Sequence, residues 1–114
     1  VGPRVMKYLG GAKTDSARLQ ITDIGAALDL YRLEVGSYPT TEQGLEALVV
    51  EPEGVTGWHG PYLKKNFIPK DPWGNEYQYL NPGNNGEIDI YTLGRDGRPG
   101  GEGLDADIGN WNIE

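Results

Sequence analysis

The sequence predicts an α+β domain: one long N-terminal helix with a small antiparallel sheet laid on it, followed by an acidic loop near the C-terminus. Three observations carry this. Apolar residues at Ala17, Ile21, Ile24, Leu28, Tyr31 and Val35 recur at steps of three and four, which puts them on one stripe of a helix. Residues 76–80 and 87–93 alternate with period two around the turn cluster Asn81-Pro82-Gly83-Asn84-Asn85-Gly86, the pattern of a hairpin. The stretch GRDGRPGGEGLDADIGNW, residues 94–111, mixes glycines with carboxylates and ends on a tryptophan.

The first helix stops at Gly36 with Pro39 just beyond, the expected punctuation of a helix C-terminus. Upstream, Pro3 suits a first turn, and Val5, Met6 and Leu9 extend the same helix backwards. Gly10 and Gly11 are a weak joint, since each interior Gly costs about 1 kcal/mol relative to Ala. Residues 40–49, TTEQGLEALV, predict a second, short helix, with Thr40 and Gln43 as a capping box and Leu45, Leu48 and Val49 as its inward face. Residues 51–75 are too rich in Gly and Pro for a regular element. Trp58, Tyr62, Phe67, Ile68 and Trp73 are the anchors expected to pack that loop down, and Asp71-Pro72-Trp73-Gly74-Asn75 is a turn sequence. A single domain over 1–114 is expected, divided into helix (1–36), short helix and variable loop (37–75), hairpin (76–93), and loop with tail (94–114).

Composition narrows the function. The chain has 114 residues, with Lys+Arg 10 against Asp+Glu 17 and a net charge of -7. Binding to nucleic acid or an anionic membrane needs clustered cations, and Lys64-Lys65 is the only basic doublet. The absence of Cys excludes disulfides, thiolate metal sites and a Cys nucleophile. No apolar run approaches the ~20 residues that span a bilayer, so the chain as given is expected to be soluble. His59 is the only His and lies in a Gly-Pro loop without an obvious Ser or Cys partner, and the acids gather in one terminal loop rather than a cleft; the chain is not expected to be an enzyme.

The acidic loop suits calcium. This hard cation takes about six to eight oxygen ligands, from carboxylates and backbone carbonyls. Asp96 opens the loop, Asp105 and Asp107 close it, and the glycines between them free the backbone to turn its carbonyls inward. Carboxylates brought within a few ångströms repel unless a divalent ion lies among them. Magnesium prefers compact octahedral sites, and no His or Cys lies nearby for zinc. The glycine-rich nonapeptide motif fails because Asp107 stands where a large apolar residue belongs and only one copy is present; the EF-hand spacing fails too. A solvated acidic surface loop is the alternative. The apolar tail Ile108-Gly109-Asn110-Trp111 favours a loop that is tied down.

The segments YPTTEQGLEALV, GPYLKK, PKDPWGNEYQYLNPG, DIYTLGRDG and GGEGLDADIGNW, in that order over residues 38–111, resemble the major pseudopilins of bacterial type II secretion systems, and ALDLYRLEVGSYP before them also fits. The resemblance implies a pilin-like fold. It further implies a hydrophobic N-terminal segment, cleaved and N-methylated, that anchors the full-length protein in the inner membrane with this domain in the periplasm. VGPRVM resembles the end of that segment, so the chain is expected to be a truncated soluble domain. The implied function is that of a subunit polymerising into the pseudopilus, which pushes folded exoproteins through the outer-membrane secretin. Implied partners are further copies of itself, minor pseudopilins and the inner-membrane assembly platform. The family's calcium site, carried over by position, implies Leu93 and Leu104 through their carbonyls and Asp96 and Asp107 through their carboxylates. Asp105 ranks below these, because Ala106 stands where some relatives have an acid. With no Cys pair, a metal clip would replace the disulfide of the type IV pilins.

Two other readings compete. A minor pseudopilin or a type IV pilin is disfavoured by the DPWGN and GGEGLDADIGNW segments and by the absence of Cys. A calcium-dependent lectin-like module would use exposed Trp residues as a platform, but Trp73 and Trp111 follow turn and anchor patterns expected of the core.

Overall fold

A computed structural model describes residues 2–65, 67–101 and 107–112, with the side chains of the first helix described from residue 12 onward. Helix α1 runs from Gly2 to Val35 without interruption at Gly10 and Gly11. The backbone ladder carries on through them, so the two glycines lower its stability without breaking it. At about 1.5 Å per residue α1 is about 51 Å long, most of the molecule's 55 Å long axis. The expected stripe is the buried one. Ala17, Ile21, Ile24, Leu28 and Tyr31 are almost wholly covered, Val35 is half-buried, and Ala27 joins them. Gly36 closes the helix with a 2.8 Å bond from its N–H to the Arg32 carbonyl.

The segment expected as a second α-helix folds differently. Its capping box forms: Gln43 N–H donates to Thr40 Oγ1 at 3.1 Å, and Thr40 N–H donates to Gln43 Oε1 at 2.9 Å. It caps only a single turn, because Gly44 takes φ +63, a left-handed conformation that ends an α-helix. Beyond Gly44 the chain makes one 3₁₀ turn, Leu45–Leu48. Its inward face is Leu45, Ala47 and Leu48, while Val49, expected to point inward, is half-buried.

The 51–75 loop is packed down, though not by every anchor expected. Trp58 Nε1 donates to the Ala47 carbonyl at 2.7 Å, Tyr62 N–H to the Leu48 carbonyl at 2.7 Å, and the Tyr62 hydroxyl to Glu34 Oε1 at 2.6 Å. The Tyr62 ring meets Tyr31 and Trp58 edge to face, with centroids 5.9 and 5.7 Å away. Phe67, expected inside, is 57% exposed. Tyr62, Leu63 and Ile68 already pack on the core here, and Phe67 turns outward under the Lys65 ammonium, 5.9 Å from its ring.

Among the described residues the sheet is antiparallel and three-stranded in the order β1-β2-β3, with β1 at Gln78–Leu80, β2 at Asp89–Thr92 and β3 at Ile108–Gly109. The expected hairpin is present with shorter strands: Tyr79 pairs with Ile90 and Leu80 with Asp89. Buried Asp89 organises the turn before β2, accepting from Asn84 N–H at 2.8 Å and from Asn85 N–H and Nδ2. Strand β3 pairs with the free edge of β2, Tyr91 with Gly109 and Thr92 with Ile108. The Asn110 side chain extends that pairing, accepting from Ile90 N–H at 3.1 Å and donating to the Ile88 carbonyl at 2.9 Å. Trp111, expected in the core, is 39% exposed. It lies over Gly109, with its ring centroid 5.7 Å from that of Tyr91, so it covers the sheet edge instead.

Tyr77 and Tyr79 are buried, and burial pushes both phenols above their usual range, Tyr77 with help from the nearby Asp71 carboxylate. A phenol whose pKa is raised by folding holds its proton while the unfolded chain gives it up. The contribution of these two phenols is therefore flat below pH about 10, and stability falls as pH rises beyond it. Tyrosinate absorbance tracked together with circular dichroism should show Tyr77 and Tyr79 ionising only as the fold is lost. Full ionisation in a still-folded protein at pH about 11 would contradict this packing.

Candidate metal centre

The acidic loop is closed at its base by strand pairing. Thr92 of β2 stands opposite Ile108 of β3 in an antiparallel register, so the next residues outward, Leu93 and Asp107, face each other across the mouth. Two of the five expected ligands are thus brought together by the sheet. The chain then turns tightly, with Gly97 N–H donating to the Gly94 carbonyl at 3.3 Å. Asp96 sits in this turn, exposed, with Oδ1 accepting from Arg98 N–H at 3.1 Å. This is an Asx turn, by which an Asp shapes its own loop.

Asp107 is half-buried and its two carboxylate oxygens differ. Oδ2 accepts from Gly100 N–H at 3.0 Å and so spans the loop. Oδ1 is buried with no hydrogen-bond partner among the described residues. A carboxylate oxygen withdrawn from water without a donor costs on the order of 1–3 kcal/mol or more. A hard cation at that oxygen would remove the cost, and the donor chemistry fits: the positions converging on the mouth offer carboxylate and carbonyl oxygen, with no nitrogen or sulfur ligand. Behind Asp107, its carbonyl accepts from Asn112 Nδ2 at 3.4 Å, while Asn112 Oδ1 accepts from Gly109 N–H at 2.9 Å, which fixes the chain on the β3 side.

Leu104 and Asp105 lie outside the described residues. Among the described residues no cluster of three or more His, Cys, Asp or Glu side chains gathers. His59 stands elsewhere, exposed, with Nδ1 3.9 Å from Glu34 Oε1.

Three residues beside the loop were not singled out by sequence. Asp71 is buried, its Oδ1 accepting from Trp73 N–H at 3.0 Å and Asn75 N–H at 2.8 Å, and its Oδ2 accepting from the Thr92 hydroxyl. Thr92 Oγ1 in turn accepts from Gly94 N–H at 3.2 Å, and Asn75 Nδ2 donates to the Gly94 carbonyl at 3.4 Å. Asp71-Pro72-Trp73-Gly74-Asn75 reads locally as a turn; nothing in it announces that the turn's Asp and Asn reach across to residues 92 and 94.

Comparison with known proteins finds relatives along nearly the whole chain. The family described as Type II secretion system (T2SS), protein G, matches residues 4–111. The chain is 53% identical to the Type II secretion system core protein G of Vibrio cholerae, over 96% of this chain and 78% of that protein. It is 52% identical to the protein of the same name in Pseudomonas aeruginosa, over 98% and 80% respectively. Among solved structures, the major pseudopilin from the type 2 secretion system of enterohaemorrhagic Escherichia coli matches with a TM-score of 0.82 at 39% identity, over 96% of this chain and 91% of that one.

Proposed function

This chain belongs to the type II secretion system protein G family, and from that premise we propose that it is the repeating structural subunit of a pseudopilus. The observation that carries the reading is the likeness to a major pseudopilin along nearly the whole of both chains, in sequence and in fold together. The shape suits the role: α1 runs most of the long axis, and among the residues whose side chains are described its buried stripe begins at Ala17. Filaments require heterologous contacts that do not close into a ring, and an elongated subunit offers distinct surfaces for them. In this reading the domain stands in the periplasm, carried there by an inner-membrane segment of the full-length protein. It assembles with copies of itself and with minor pseudopilins on the inner-membrane platform, and the growing filament drives exoproteins toward the outer-membrane secretin. Among the described residues no helix is long and apolar enough to cross a membrane.

The site reading that goes with it is a structural calcium ion in the 93–108 loop. Asp107 and the Leu93 carbonyl would hold it from the loop's base, Asp96 from the turn, and Leu104 and Asp105 from the limb between. What supports this is the unpartnered Asp107 Oδ1, together with the β2–β3 register that sets Leu93 opposite it. When bound, calcium would neutralise the gathered carboxylates and cross-link the two limbs, as a disulfide would in an oxidising compartment.

The test of the filament reading is complementation. Full-length protein produced in a strain that has the rest of the secretion machinery, but lacks its own core protein G, should restore exoprotein release. It should also yield sheared filaments that contain it. Secretion restored with the protein remaining wholly monomeric would overturn the proposal.

A further inference from the structure

The calcium reading concerns the loop itself; resting on it, a second layer of residues outside the loop holds the incoming limb in place. We propose that Asp71 is a positioning residue for the cation site: through Thr92 and Asn75 it fixes Gly94, and with it the carbonyl of Leu93 and the turn that carries Asp96.

Gly94 is buried at the point where the chain leaves β2 for the loop, and both of its backbone polar groups are held from below. Its N–H donates to Thr92 Oγ1 at 3.2 Å, and its carbonyl accepts from Asn75 Nδ2 at 3.4 Å as well as from Gly97 N–H at 3.3 Å. Its φ of +80 is open to glycine at little cost but is no resting state for it; hydrogen bonds choose it. Both groups that make those bonds are oriented by Asp71. Its Oδ2 takes the Thr92 hydroxyl proton, which leaves a Thr92 lone pair for Gly94 N–H. Its Oδ1 takes Asn75 N–H at 2.8 Å and so sets that side chain under the turn. A Cβ built at Gly97 would lie 3.6 Å from Asn75 Nδ2, which shows how closely the side chain underlies the limb. Asp71 is itself clamped, since Asp71 N–H donates to the Asn75 carbonyl at 2.8 Å and Gly74 N–H to the Asp71 carbonyl at 2.9 Å.

The arrangement makes Asp71 a poor ligand and a good brace. Its oxygens are occupied by three donors, so it has little left to offer a metal. A bound cation and this brace favour the same position of the 93–96 limb, so each strengthens the other by the same factor. Partners behind a metal's own ligands typically alter affinity by about 10- to 100-fold.

The experiment uses Thr92→Val, which keeps the buried volume and deletes the hydroxyl, Thr92→Ser as the rescue, and Asn75→Ala as a second, less buried variant. Calcium chloride titrated calorimetrically into chelator-treated protein should bind about 10-fold more weakly to Thr92→Val and Asn75→Ala than to wild type, with Thr92→Ser close to wild type. Hydrogen exchange without calcium reads the brace on its own. The Gly94 and Gly97 amides should exchange faster in Thr92→Val by a larger factor than the Ile90 amide in the adjoining strand. Wild-type affinity in Thr92→Val, or acceleration that is uniform along the chain, overturns the proposal, since the latter is what general loss of stability produces. Should the wild type take up no calcium, the cation reading falls and the exchange comparison alone decides whether Asp71 braces the limb.

Discussion

Adding calcium to chelator-treated protein is expected to raise its melting temperature by roughly 10 °C, and Asp107→Asn is expected to abolish that rise without lowering the melting temperature in chelator. The first part comes from mass action: a ligand that binds only the folded state stabilises it by about 2.7 kcal/mol at a concentration 100-fold above its dissociation constant. For a chain of this size 1 kcal/mol corresponds to about 4 °C. The second part comes from the two oxygens of Asp107. An Asn keeps an oxygen for Gly100 N–H, now at 3.0 Å from Oδ2, and removes the charge carried by a carboxylate whose other oxygen is buried without a partner among the described residues. Without a cation the exchange replaces an unpartnered buried charge by an unpartnered neutral amide, the smaller penalty of the two, so it is neutral or stabilises by up to about 1 kcal/mol. With calcium present, the wild type gains what the variant cannot. The two proteins should therefore change order of stability between chelator and calcium. A variant that melts below wild type by the same margin in both conditions would show Asp107 to be only a loop-shaping acceptor. Magnesium should substitute poorly, because it keeps its waters and demands a tighter octahedron.

What could be read from sequence divides along the range of the forces involved. The α1 stripe was legible because it is a local periodicity, and Ala17, Ile21, Ile24, Leu28 and Tyr31 are the residues found buried on it. The hairpin was legible for the same reason. The second α-helix failed on one dihedral: its capping box is real, but Gly44 turns left-handed behind it and leaves only a 3₁₀ turn. Strand β3 was invisible because it is two residues long, and its partner, β2, is far away in sequence. Aromatic content alone could not tell Tyr62, which finds Glu34 and two ring neighbours, from Phe67, which does not. At the site, composition and resemblance pointed to Asp96 and Asp107 but not to the asymmetry of Asp107's oxygens, which depends on where Gly100 lies. Asp71 escaped notice because the bonds that make it matter run to Thr92, well outside its own turn.

Leu28→Ala is expected to destabilise the domain by about 3 kcal/mol or more, while Leu33→Ala, five residues on in the same helix, should change stability by no more than about 0.5 kcal/mol. The two substitutions delete the same atoms and carry the same small gain in helix propensity, so intrinsic helix preference cancels between them. They differ in surroundings: Leu28 is 0% exposed and Leu33 is 80% exposed. Removing Leu28 leaves a cavity on the buried face of α1 that close packing cannot wholly refill. Against a total stability of about 5–15 kcal/mol this is a large fraction, and the melting temperature should fall by about 12 °C. Equal midpoints for the two variants in denaturant titrations would mean that the helix is not seated as described. The same pair separates core from cation loop. The loop's two limbs spring from β2 and β3, which pair with each other through bonds that Leu28 does not make. Leu28→Ala should then lower both melting curves, with and without calcium, by similar amounts and keep the calcium increment nearly intact, as independent sites do. An increment that vanished with the core substitution would place the shape of the loop under control of α1, and the strand register would no longer suffice to explain how Leu93 and Asp107 come to face each other.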